Sequence, residues 1–263
     1  MSNTVKFSGL GLPLFCRSLF CLYFQLANVT CISILKPASK AILVFAQSAS
    51  RDALYKKLKG GECIFDHLTR QTIQKARRTG FPVFHFDEGL QEGTSFGERL
   101  SGAMKLLFDK GFESLVVIGN DSPDLSPSVL REAFFALDHK GAVLGPSDDG
   151  GVYLIGLHRD HFEYDEFLDL PWRQKCLFKQ MIFWIQSKGL EKVSVLKCKM
   201  DLDTTGDFRN WYGNTGFIRG KLNRLIAGLL HMDPGAGFQK SLRSPLDFYP
   251  FVHFNKGSPA LSC

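Results

Sequence analysis

The chain has 263 residues, 44% hydrophobic and 22% charged, a globular composition able to bury one sizeable core. Its net charge of +6 sits at the ends: the first 51 residues hold five bases and no acid, residues 208–263 hold seven bases and two acids, and the stretch between is net acidic. An acidic body lacks the basic face that a nucleic-acid-binding domain needs, so nucleic acid is excluded as a partner. The seven cysteines form no CxxC or zinc-spaced cluster, which points to free thiols in a reduced, cytoplasmic setting.

Residues 1–38 read as an apolar, basic extension. The run from Gly9 to Leu35 is mostly apolar, but Arg17, Gln25 and Asn28 interrupt it. A spanning helix needs about 20 mainly apolar residues, and no clean signal-peptide pattern is present. Three readings stay open: weak membrane association, a loosely ordered extension, or a helix packed on the domain.

From Lys40 the signals become regular. Ala41 to Gln47 ("AILVFAQ") is a buried strand, and Ile64 to Gly80 has the apolar spacing of a helix with a glycine stop. Phe81 to Asp87 alternates as a strand. Ser95 to Gly111 opens with Ser95 and Glu98, a capping box, and closes on glycine. Ser114 to Gly119 is the next strand. Ser126 and Pro127 then start a helix that ends at Gly141. "AVLG" and "VYLIGL" are strands on either side of "PSDDGG". Arg173 to Gly189 is a helix, Val193 to Lys197 a strand, and "TTGDFRNWYGN" a last helix with a Thr cap. Alternating strands and helices with continuous apolar strands predict an α/β fold with a mostly parallel sheet covered on both faces. Ligands then sit beyond the carboxyl ends of the strands.

Three motifs fall at such ends. In "GNDSPDL" Asp121 and Asp124 follow a strand, and carboxylates on a short stiff loop suit Mg²⁺ or Mn²⁺ beside a diphosphate. Either acid also has a plain reading as a turn or helix cap. In "GPSDDGGVYLIG" two glycines after two acids allow close backbone approach, and this loop is expected to leave a strand adjacent to the first, at the same edge. In "DLDTTGDF" one of Asp201 or Asp203 either caps a helix or points into the same crevice. No Walker A, G-x-G-x-x-G, G-x-S-x-G or H-E-x-x-H pattern occurs, which removes the P-loop, dinucleotide, serine-hydrolase and zinc-protease readings.

From about Lys40 to Tyr212, the ordered motifs "SFGERLSGAM", "GNDSPDL", "PSDDGGVYLIGL", "LPW" and "DLDTTGDF" resemble the domain-of-unknown-function 2064 family. Its members are GT-A-type, glycosyltransferase-like proteins of the nucleotide-diphospho-sugar transferase superfamily. The resemblance implies a Rossmann-like α/β/α sandwich over residues 39–212, followed by a basic C-terminal extension over 213–263. It implies a metal-dependent transferase using a nucleotide donor, with a nucleotide sugar first, and a small-molecule acceptor. The alternatives are a nucleotidyltransferase acting on a phosphorylated small molecule and a non-catalytic nucleotide- and metal-binding protein. The metal position falls on Asp121 and Asp203, and the "DGG" acid on Asp149, the best candidate for the catalytic base, with Gly150 and Gly151 beside the ligand. Many members carry Arg and then G-x-x-K-T-R-L in the first loop. Here "QSASRDALYKKLKGG" departs from that pattern, and Arg51, Lys56 and Lys57 are the residues left to hold donor phosphates.

Overall fold

A computed structural model describes residues 39–190, 192–215 and 220–230. The expectations for residues 1–38, and for most of 213–263, lie outside these. No helix among the described residues is long and apolar enough to cross a membrane.

In chain order the elements are β1 (Lys40–Phe45), α1 (Ala49–Tyr55), α2 (Glu62–Arg77), β2 (Val83–Phe86), α3 (Phe96–Asp109), β3 (Ser114–Ile118), α4 (Pro127–Lys140), β4 (Ala142–Pro146), β5 (Val152–His158), α5 (Tyr164–Leu168), α6 (Leu177–Ser187), β6 (Ser194–Val195), α7 (Thr205–Thr215) and α8 (Lys221–Leu229). The sheet order is β2-β1-β3-β5-β4-β6. Strands β1, β2 and β3 run parallel, as do β4 and β6, while β5 is antiparallel to both of its neighbours. The fold is the expected α/β/α sandwich around a mostly parallel sheet.

Alternation along each strand builds the layers. On one face Leu43, Leu115, Val117, Leu144 and Ile155 pack on α3, α5 and α6 through Met104, Leu107, Phe167 and Trp184. On the other, Ile42, Val116, Ile118 and Val143 pack on Leu130, Ala133 and Phe134 of α4. Strand β3 is buried along its whole length, so the loop that follows it is fixed at its root. The helix starts follow the local rules: Ser95 and Glu98 form the capping box of α3, Ser126 caps α4 with Pro127 behind it, and Gly141 closes α4 at φ 72°. Thr204 and Asp207 cap α7 in the same reciprocal way.

Three features differ from the sequence reading. The "SDDGG" loop does not leave a strand next to β3: it is the β4–β5 turn, and β5 lies between β3 and β4. Because β5 is antiparallel, its start still lies at the carboxyl edge of β3. The stretch after β1, named only as a loop from the sequence, contains α1. The core also continues past Tyr212: Leu222, Ile226 and Ala227 of α8 join Phe65, Phe208 and Tyr212 in a third cluster that closes over α1 and α2.

Candidate functional site

Beyond the carboxyl ends of β1 and β3 lies a crevice of about 820 Å³, with a wall formed by the start of β5. Asp121, Ser147, Asp149, Asp201, Asp203, Lys56 and Lys57 all line it.

The Lys56 ammonium joins two of these acids. Nζ lies 3.0 Å from Asp121 Oδ2 and 2.7 Å from Asp203 Oδ1, and it donates to the Leu202 carbonyl at 3.1 Å. Burial works against the charge on this lysine, but Asp121 and Asp203 outweigh it and raise the pKa, so the ammonium is charged at any working pH. The end of α1 sets its position. Lys57 N bonds to Leu54 O and Leu58 N to Ala53 O, the paired bonds of a Schellman turn, with Lys57 at φ 53° where glycine is usual. Lys56 is therefore the C-cap residue of a closed helix end.

The acids hang on a clasp of three loops. The Asp201 carboxylate accepts hydrogen bonds from the hydroxyls of Ser122 and Ser147, one on each oxygen. Leu202 N bonds to Asp121 O at 2.9 Å. The loops after β3, between β4 and β5, and before α7 are thus tied together. Burial is the main reason that Asp201 and Asp203 hold their protons more tightly than ordinary carboxyls. Lysines secure the back of the loop after β3: Lys75 donates to Pro123 O at 2.6 Å and Lys199 to Asp124 O at 3.1 Å. Asp124 itself is exposed, and Ser126, not Asp124, caps α4. Buried Asn120 donates to Asp52 Oδ2 at 2.8 Å and to Thr69 Oγ1 at 2.9 Å, which joins the same loop to α1 and α2.

The residues singled out in the sequence divide as follows. Lys56, Asp121 and Asp203 meet at one point. Asp149 is exposed at the rim, with Oδ1 accepting from Gly151 N at 2.8 Å. Lys57 and Gly151 also line the crevice. Gly150 packs on Lys175, which lines the crevice too: at φ 93°, a Cβ there would stand 2.1 Å from Lys175 O, so this glycine seats the segment before α6. Arg51 lies in a neighbouring cleft with Arg99 and Arg173 rather than with Lys56. Ser122, Ser147 and Asn120 escaped the sequence reading, because bonds between distant loops leave no spacing signal. Among the described residues, no group of three or more His, Cys, Asp or Glu side chains is arranged to hold a metal.

Residues 62–174 match the family described as "Uncharacterized protein conserved in bacteria (DUF2064)". The match takes in Asp121 and Asp149 and leaves Lys56 and Asp203 outside it. No curated protein matches the chain. Among solved structures, a Desulfovibrio desulfuricans G20 protein assigned as a nucleotide-diphospho-sugar transferase is 24% identical, with a TM-score of 0.64, over 74% of this chain and 97% of that one. A 4-diphosphocytidyl-2C-methyl-D-erythritol synthase from Anaerococcus prevotii DSM 20548 is 13% identical, with a TM-score of 0.44, over 66% of this chain and 98% of that one. A homologue of Mycobacterium tuberculosis Rv0371c from Mycobacterium sp. strain JC1 is 14% identical, with a TM-score of 0.41, over 74% of this chain and 98% of that one. The first likeness shows the fold: this chain has the nucleotide-diphospho-sugar transferase architecture.

Proposed function

We propose that this protein is a transferase that takes a nucleotide-activated donor, a nucleotide sugar in the first place, and passes the activated group to a small acceptor. The observation that carries the reading is the Lys56 ammonium held between Asp121 and Asp203 in a crevice at the carboxyl edge of the sheet. Ligands of open α/β sheets bind at that edge. Lys56 is the cation placed to meet the donor's phosphates, with Lys57 beside it on the crevice wall.

The donor set suits a divalent cation. Asp121 and Asp203 supply hard oxygen atoms, and each keeps one carboxylate oxygen outside the Lys56 pair. Mg²⁺ is held by one or two carboxylates plus substrate phosphates, which matches such a pair. When bound, Mg²⁺ or Mn²⁺ would neutralise charge on the diphosphate leaving group. Lys56 shares that task and holds the acids together until the donor arrives. Asp149, at the rim, is the base for the acceptor's proton, with its carboxylate oriented by Gly151 N.

The test is thermal unfolding with nucleotides and nucleotide sugars, with and without Mn²⁺, in the wild type and in Asp121→Asn. A ligand at a hundred times its dissociation constant stabilises the protein by about 2.7 kcal/mol. Stabilisation that depends on Mn²⁺ and disappears in Asp121→Asn supports the reading. An Asp121→Asn protein that keeps ligand stabilisation and only melts lower makes this acid a structural cap. Release of free nucleoside diphosphate identifies a sugar donor; release of pyrophosphate identifies a nucleotidyltransferase.

A further inference from the structure

A second cleft, of about 390 Å³, opens beside the main crevice and shares Gln47, Tyr55, Gln91 and Arg173 with it. Three guanidinium groups line it: Arg51 near the start of α1, Arg99 in the first turns of α3, and Arg173 before α6. Neither Lys56 nor any of the three clasped acids lines it.

The three arginines outnumber the acids of the cleft, where Glu88 is the one carboxylate and feels the charge of Arg51. Among the described residues, Arg51, Arg99 and Arg173 take part in no salt bridge. The one acid in the cleft, Glu88, is already engaged: Oε2 accepts from Ser48 N at 2.6 Å and Oε1 from Ser48 Oγ at 2.5 Å. Arg99 Nη1 donates to Thr94 O at 3.1 Å, but its Nε is buried with no hydrogen-bond partner. Burial, and then the charges of Arg173 and Arg51, lower the Arg99 pKa. Arg99 thus has hydrogen-bonding capacity that the protein itself does not use.

Arg173 is held in place against its own backbone preference. Its φ is 65°, and its guanidinium lies 5.0 Å over the Tyr55 ring and 5.4 Å over the Phe96 ring. A non-glycine residue kept in the left-handed region while two aromatic rings fix its side chain is the kind of strain that persists at functional sites.

We propose that Arg51, Arg99 and Arg173 form an anion site for a second substrate that carries a phosphate monoester. Three converging guanidinium groups suit a dianion with several acceptor oxygens better than a single carboxylate. In the transferase reading the donor's diphosphate sits in the main crevice, where a divalent cation held by Asp121 and Asp203 would join Lys56, and this cleft is left for the other reactant. That the ligand is the acceptor rests on the transferase reading above; the anion site itself does not.

The experiment measures binding by calorimetry to the full chain. The probes are inorganic phosphate, glycerol 3-phosphate and glucose 6-phosphate, each against its phosphate-free parent, with glycerate as the carboxylate control. The variants are Arg99→Gln and Arg99→Lys, neither of which touches the main crevice. The wild type is expected to bind at least one phosphate monoester and neither glycerol nor glucose. Arg99→Gln is expected to weaken that binding at least tenfold, Arg99→Lys to restore it only in part, and both to keep the wild-type response to nucleotide. The proposal is overturned if no probe binds, if Arg99→Gln binds as well as wild type, if glycerate binds as tightly as the phosphates, or if Arg99→Gln loses nucleotide along with the monoester. A protein that ignores every nucleotide but binds the monoester through Arg99 refutes the transferase reading and keeps the anion site.

Discussion

Lys56 Nζ lies closer to Asp203 Oδ1, at 2.7 Å, than to Asp121 Oδ2, at 3.0 Å, so one ammonium bridges two loops that both need its charge. Placed between the two acids, this lysine competes with any cation that they would share. Lys56→Met should therefore bind Mn²⁺ alone more tightly than the wild type does, measured from the free-ion resonance signal. The same variant should lose at least tenfold in nucleotide affinity, about 1.4 kcal/mol. Unchanged Mn²⁺ affinity would show that the ammonium does not compete for the metal position.

Lys57 stands at φ 53°, at the helix end where a side chain is a burden. The left-handed conformation costs an L-residue about 1–2 kcal/mol, part of which returns as lost chain entropy when glycine replaces it. Lys57→Gly should raise stability by about 1 kcal/mol or less, read as a higher urea midpoint at constant slope. A lower midpoint would mean that the Lys57 side chain contributes more than its backbone costs.

Two glycines separate backbone strain from collision. Gly80, at φ 87°, has nothing within 4 Å of where a Cβ would stand, whereas at Gly150, φ 93°, the Cβ would lie 2.1 Å from Lys175 O. Gly80→Ala should cost about 1 kcal/mol and Gly150→Ala about 3 kcal/mol, because the second must also push two backbones apart. Equal losses in thermal unfolding would show that the segment before α6 yields freely.

Asp52 is buried in α1, and burial holds its pKa above the ordinary value, although the Asn120 amide and Lys56 pull the other way. The folded protein keeps this proton to a higher pH than the unfolded chain does, so ionising Asp52 costs stability. That contribution is complete below about pH 4 and is lost as the pH rises through the folded pKa. Asp52→Asn cannot ionise. Its unfolding free energy relative to wild type should improve from about pH 4 to about pH 7. A difference that stays constant with pH would place the ionised carboxylate in no such deficit.

Local signals made most of the framework legible. Ser95 with Glu98, Ser126 with Pro127, and Gly141 mark helix ends through bonds within a few residues, and the structure keeps each of them. The apolar run of β3 was readable as a buried strand for the same reason. Helix α1 was not: it has only seven residues, and Lys57 closes it where a glycine would have signalled the stop. Helix α8 was missed because its partners, Phe65 and Phe208, lie far away in the chain. Lys56, Asp121 and Asp203 could be named separately as candidates, but their meeting depends on α1. The arginine cleft had no sequence signature, since Arg99 and Arg173 stand on unrelated elements.

The Ser122 and Ser147 bonds to Asp201 span 79 and 54 positions, and the Lys56 bond to Leu202 spans 146. Among the described residues, all strands but the two-residue β6 are complete by His158. A chain emerges from the ribosome amino end first, so the sheet can assemble before Asp201 and Asp203 have been translated. A growing polypeptide with β1 to β5 in place thus still lacks the clasp acids Asp201 and Asp203. The clasp closes only when the segment after β6 arrives, and a nick between β6 and α7 would cut that segment from the strands that support it.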